Sequence, residues 1–284
     1  MKNFLFVPVL LASAMLASQA QSAGETSFRV DKIGAGSACR IVAVNRTVAP
    51  VTVAVKVTAG VHQHRPGQVR SLRAVIEPNS TREITRIQTK DHREPCRGEM
   101  TYTHSVGDAF AAPDLRHRYR LPFRKGTIVR VAQEPGGVLT THKDDLSRYA
   151  FDLAVPEGTP VLAARAGSVI EIRDTFSEGR RDPKLAEKTN FVSIIHTDGT
   201  FAQYAHLTPH SILVRPGEWV EAGQMIGKSG NTGFAGGPHL HFDLRRARIG
   251  ADGTVKQESL PLSFFSQRSG KKITLTQRKR ITVD

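Results

Sequence analysis

The sequence predicts an all-β protein: a small β-sandwich-like domain over residues 24–122, then an antiparallel β-sheet domain over residues 123–250. Three observations point there. Short runs alternate apolar and polar side chains with the period of two that a half-buried strand requires, as in PVTVAVKV at 50–57. Gly, Pro, Asn and Ser break these runs at close intervals. No long segment carries apolar residues at the 3.6 period of a helix.

In the first domain RIVAVN, PVTVAVKV, SLRAVIEP and GEMTYTHS are the strand candidates. The chain has two cysteines, Cys39 and Cys96. A Cys39–Cys96 disulfide would close a long loop, worth about 4 kcal/mol on chain entropy; two free buried thiols are the alternative. His62 and His64 form an H-x-H in the turn-like VHQHRPG, with no third ligand in sight, and read as solvated loop residues. RYRLPFRKG at 118–126 reads as the join between the domains.

The second domain opens with GTPVLAARAGSVIEI (158–172), two strands around Ala166 and Gly167. NFVSIIHTDGTFAQYAHL (190–207) reads as a hairpin turning at Asp198-Gly199. GEWVEAGQMIGKSG (217–230) adds short strands broken by glycines. The charged stretch DTFSEGRRDPKLAEKT (174–189) reads as an exposed loop able to wall a cleft. Residues 251–284 read as a basic carboxy-terminal extension, whose tail KKITLTQRKRITVD reads as solvated surface, with attraction to the wall as the alternative.

Charge and leader bound the function. Of 284 residues, 40 are Lys or Arg and 26 Asp or Glu, a net charge of +14, which draws the chain to polyanions. Residues 1–20 have the form of a secretory signal peptide: Lys2, an apolar run from Phe4 to Ala17, and small residues Ser18 and Ala20 before a cut after Ala20. That run is shorter than the roughly 20 residues that span a bilayer. No later segment reads as transmembrane, so stable membrane insertion is not expected. Export to the periplasm or beyond removes intracellular nucleic acid from the partners and leaves carboxylate-rich cell wall.

The stretch GGPHLHFDL (236–244) carries the chemistry. As a strand it sends His239, His241 and Asp243 to one face and Leu240, Phe242 and Leu244 to the other. A catalytic zinc needs about three protein ligands and one open position. His142 and Asp152 lie upstream; a carboxylate inside the apolar YAFDLAVP is costly unless paired or metal-bound. Asp144 and Asp145 are nearer to His142 in sequence but sit in a polar loop. His196 reads as a strand-surface residue and His210 as a loop residue; Asp243 reads either as a partner orienting a ligand or as solvated.

Four separated stretches, TH (141–142), YAFDLAVPEGTPV (149–161), YAHL (204–207) and SGNTGFAGGPHLHFDL (229–244), together resemble the lysostaphin-type, LytM-like zinc endopeptidases. The resemblance covers roughly residues 120–250. It implies one zinc per chain held by His142, Asp152 and His241, with His206 and His239 as the catalytic histidines beside it. It departs from many members in placing nine residues, not three, between His142 and Asp152. Tyr204, two residues before His206, would point its hydroxyl to the oxyanion if the two share a strand face; the equal alternative is a packing tyrosine. The function implied is hydrolysis of peptide cross-links in peptidoglycan. The alternatives are a LytM-like activator of other wall hydrolases without activity of its own, and a secreted protease acting on Gly-rich proteins. The sequence names no protein partner for the first domain.

Overall fold

A computed structural model describes residues 27–34, 38–59, 69–88, 98–138 and 140–284. The leader, His62, His64 and Cys96 lie outside the described residues. The regular structure of the described residues is almost all strand, joined by turns and loops. No helix among them is long and apolar enough to cross a membrane.

The first unit holds β1 (Phe28–Ile33), β2 (Ala38–Asn45), β3 (Val51–Ala59), β4 (Val69–Ile76), β5 (Ser80–Gln88) and β6 (Gly98–Val106). They form two three-stranded antiparallel sheets, ordered β1-β2-β5 and β4-β3-β6. The alternation of β3 explains the arrangement: Val51, Val53, Val55 and Val57 join Ile41, Ile76 and Ile87 in one core. Each such side chain removed from water favours folding by roughly 1.5–3 kcal/mol. Asn45 is fully buried, and its amide donates to the Ala49, Ile76 and Glu77 carbonyls, tying the two sheets together at one end.

The second unit is organised by a nine-stranded sheet. Its order is Trp219–Val220, Gly167–Arg173, Phe191–Ile195, Phe201–Ala205, Leu240–Ile249, Phe151–Ala154, Ile128–Gln133 and Arg280–Thr282, with Val255–Leu260 paired to the far half of Leu240–Ile249. The Leu240–Ile249 strand therefore has two partners on one edge. Leu240 to Phe242 pair with Phe151 to Leu153, and Leu244 to Ile249 pair with Val255 to Leu260. One sheet face packs Leu153, Val192, Ile194, Tyr204, Leu240 and Phe242 into the larger core. The Asp198-Gly199 hairpin forms as the sequence predicts: Gly199 takes φ 80°, and Asp198 accepts from the Thr200 amide and hydroxyl.

One expectation changes and one is refined. The join at 118–126 is packed into the second unit, with Tyr119, Leu121 and Phe123 in the larger core. The carboxy-terminal residues are not merely solvated surface. Phe264, Leu275 and Val283 enter the same core, and Arg280–Thr282 closes a sheet edge. Their apolar residues are isolated among Lys and Arg, so the sequence shows no periodic face. A small cluster of Ala49, Ile170 and Phe201 connects the two units.

His196 is also buried, not on the strand surface; it follows the strand at the hairpin turn, where its Nδ1 meets the Ala166 carbonyl at 2.9 Å. Burial pushes this imidazole down to about 4. The unfolded chain takes up a proton near 6.5 that the folded chain refuses until about 4, so stability is lost as pH falls through that window. The expected loss is about 3 kcal/mol. Thermal melts from pH 7 to 4 should show a drop that is smaller in His196→Gln; an equal drop in both proteins would remove His196 as the cause.

Candidate active site

The second sheet face is polar, and its side chains form rows by register. Arg173 pairs with Phe191, Phe191 with Ala205, Ala205 with His241, His241 with Asp152, and Asp152 with Gln133. One row thus crosses six strands, and its members share a face because strand residues alternate.

Asp152 and His241 are cross-strand neighbours, with His241 Nδ1 3.0 Å from Asp152 Oδ1. His142 arrives from a loop and puts Nε2 3.4 Å from the same oxygen. The nine-residue excursion folds out as a turn over Asp144: its carboxylate accepts from the Leu146 and Ser147 amides, and that of Asp145 pairs with Arg148. Neither reaches the cluster. Asp152 is buried in the middle of the sheet. Burial pushes its carboxyl up, but hydrogen bonds from His142 and His241 outweigh that and hold it well below the usual carboxylate range.

The donors of His142, Asp152 and His241 all lie within 4.8 Å of one another. Two imidazoles and one carboxylate make a donor set suited to a zinc with an open position, and donors on one tetrahedral centre stand about 3.4 Å apart. Burial pushes His241 down, but Asp152 and Asp243 on its two ring nitrogens prevail and raise it to about 9. Positive charge is therefore favoured at this point, whether a proton or a cation carries it. The residues fit the metal.

His206 and His239 flank the cluster, their rings 4.5 Å apart. Each is fixed by a backbone carbonyl: His206 Nδ1 donates to Thr232 O at 2.6 Å, and His239 Nδ1 to Gly237 O at 2.8 Å. A carbonyl only accepts, so Nδ1 carries the hydrogen and Nε2 keeps its lone pair. Burial lowers both imidazoles, His206 to about 3 with help from the neighbouring histidines.

Tyr204 is a correction. It faces the core, fully buried, with its ring 5.0 Å from Phe242 and its hydroxyl accepting from the Ala164 amide at 2.7 Å. His206 lies beyond the strand end at φ 64°, which breaks the alternation that would have put both on one face. A Tyr204→Phe protein should keep its turnover and lose about 1–3 kcal/mol of stability, the cost of an unpartnered Ala164 amide. A slowed reaction without a lower melting temperature would contradict this placement.

Sequence reading missed Gln133. Its Nε2 donates to Asp152 Oδ2 at 2.6 Å, while its Oε1 accepts from the Thr141 amide at 2.6 Å. It thereby ties the loop bearing His142 to the strand bearing Asp152. It lies past an irregularity in strand register, which sequence alternation does not reveal. Asp243 is not solvated: fully buried, it accepts from His241 Nε2 at 3.0 Å and from Arg245 at 2.7 Å, which holds the His241 ring in place.

A groove of about 210 Å³ opens beside the histidines, bounded by Arg173, Thr189, Phe191, Ala205, His206 and His241. The charged 174–189 stretch supplies one wall, carrying a short 3-10 helix at Pro183–Lys188. Glycines let it dock. A Cβ on Gly179 would lie 1.3 Å from Asn231 O, and Gly233, at φ 80°, leaves no room for one beside Thr189.

Residues 147–256 match the model of peptidase family M23. The chain carries an M23 peptidase domain of the LytM-like, lysostaphin type. The match begins after His142, which the fold brings back to Asp152. An uncharacterized metalloprotease of Buchnera aphidicola is 30% identical over 125 residues, 44% of this chain and 30% of that protein. The peptidoglycan DD-endopeptidase ShyA of Vibrio cholerae is 41% identical over 93 residues, 33% of this chain and 19% of its own length. Lysostaphin of Staphylococcus simulans is 37% identical over 95 residues, 33% of this chain and 17% of its own. The chain thus spans less than a third of the length of these relatives.

Proposed function

We propose that this protein is an exported zinc endopeptidase that hydrolyses peptide cross-links of peptidoglycan. The observation that carries the reading is the convergence of His142, Asp152 and His241 on one point, with His206 and His239 beside it and a groove leading in. The M23 domain and its wall-cutting relatives favour the substrate, as do the leader-like first twenty residues and the charge of +14.

In this reading His142, Asp152 and His241 hold the metal. Bound there, zinc would polarise the scissile carbonyl and make a water acidic enough to ionise near neutral pH. The chain's own part falls to His206 and His239. Unprotonated at neutral pH, either Nε2 can accept the proton of the attacking water, and the resulting imidazolium can donate to the developing oxyanion or to the departing amine. The backbone carbonyls keep a hydrogen on each Nδ1, so the proton taken up and given back is always the one on Nε2.

The test is digestion of intact sacculi by zinc-loaded mature protein, with products read by mass spectrometry beside His241→Ala. New peptide ends that vanish in the variant support the proposal and name the bond. Folded, zinc-loaded protein that releases nothing overturns it in favour of a wall-hydrolase activator. Cleavage of Gly-rich proteins without action on sacculi would point to a protease of different substrate.

A further inference from the structure

Arg173 stands at the end of the row that begins with the zinc-binding candidates, three strands away from His241. At about 4.8 Å per strand their backbones lie about 14 Å apart, and the groove between them spans roughly four extended peptide residues at most. Its floor is Phe191 and Ala205, the small side chain leaving depth beside the histidines.

The guanidinium is held, not loose. It lies 5.0 Å over the Phe191 ring and 5.9 Å over Phe176, and one nitrogen donates to the Glu187 carbonyl at 2.7 Å. Phe176 is fixed in turn by buried Asn190, which bonds both its amide and its carbonyl. One N–H of five is thus occupied, and the rest of a planar fork remains for a ligand. Glu171, two residues along the same strand, lies close enough to feel the Arg173 charge, but among the described residues no carboxylate closes an ion pair with the guanidinium, and no Asp or Glu lines the groove. An ordered arginine whose fork bonds no carboxylate, at the end of a groove that carries none, fits an anion, and a carboxylate matches the fork in two parallel hydrogen bonds.

We infer that Arg173 is a specificity residue that binds a free carboxylate of the substrate peptide, on the groove side of the scissile bond. This deepens the endopeptidase reading and rests on it for the word substrate. The groove itself selects acidic over neutral peptides, while the five histidine and aspartate groups perform the chemistry.

Two synthetic cross-linked peptides decide it, identical except that one carries a free carboxylate and the other a carboxamide at the position facing Arg173. Zinc-loaded wild-type protein should favour the carboxylate at least about tenfold in kcat/KM, chiefly through KM. In Arg173→Gln the preference should fall to near unity, and Arg173→Lys should retain part of it. Circular dichroism melts check that the variants fold. Equal rates on both peptides in the wild type, or an undiminished preference in Arg173→Gln, overturn the inference. If neither peptide is cut, the endopeptidase reading fails separately, and fluorescence anisotropy with the same peptides judges Arg173. Tighter binding of the carboxylate form that Arg173→Gln abolishes supports the inference; indifference to the carboxylate ends it.

Discussion

Replacing His206 with alanine should lower peptide hydrolysis about 10²–10⁴-fold while leaving one zinc bound per chain. The expectation follows from where the side chain sits. Its ring lies 4.5 Å from that of His239 and 5.9 Å from that of His241, yet its Nδ1 is committed to the Thr232 carbonyl and it is not one of the three converging donors. Burial and the adjacent imidazoles keep it neutral, so its Nε2 can take a proton. The loss should therefore fall on kcat, with metal content by elemental analysis unchanged. Position 206 has φ 64°, a conformation in which alanine is strained, so His206→Asn should accompany the alanine variant because Asn tolerates that region. If both variants lose zinc, His206 belongs to the metal site. If both keep full turnover, His239 alone handles the proton.

The site was legible where chemistry conflicts with local pattern. A carboxylate inside the apolar YAFDLAVP is costly unless paired or metal-bound, and that cost is readable without a structure, while alternation alone put His239 and His241 together on one strand face. Leu240, Phe242 and Leu244 pack inward just as the alternation of that strand requires. Alternation misled at Tyr204 because the strand ends before His206 and the backbone turns left-handed there. Gln133, Asn190 and Arg173 were not legible. Each takes its role from a partner far along the chain, through a register irregularity, a buried amide or a cross-sheet row. The carboxy-terminal strand was hidden for a related reason: Val283 and Leu275 are buried by the sheet edge they close, not by a periodic face of their own.

Asp243 should prove the residue on which both the metal site and the fold depend. It is fully buried and accepts from His241 Nε2 at 3.0 Å and from Arg245 at 2.7 Å. Burial pushes its carboxyl up, but the Arg245 charge and the His241 hydrogen bond overcome this and lower it, so it stays ionised. An ionised carboxylate on Nε2 fixes the proton there and leaves Nδ1 to face Asp152 and the metal. Partners of this kind contribute about 10–100-fold to metal affinity. Asp243→Ala should therefore weaken zinc binding by that factor and, by leaving Arg245 without its counter-charge in a largely buried position, destabilise the fold by about 3 kcal/mol. Asp243→Asn separates the two effects: it keeps the volume and one acceptor for His241 but lacks the charge. It should recover most of the packing and little of the affinity. Zinc affinity by competition with a chelating dye, and stability by urea unfolding of the metal-free protein, measure each independently. An alanine variant that binds zinc as tightly as the wild type would mean that the backbone pairing of His241 with Asp152 is enough to aim the ring, and that Asp243 serves only to neutralise Arg245.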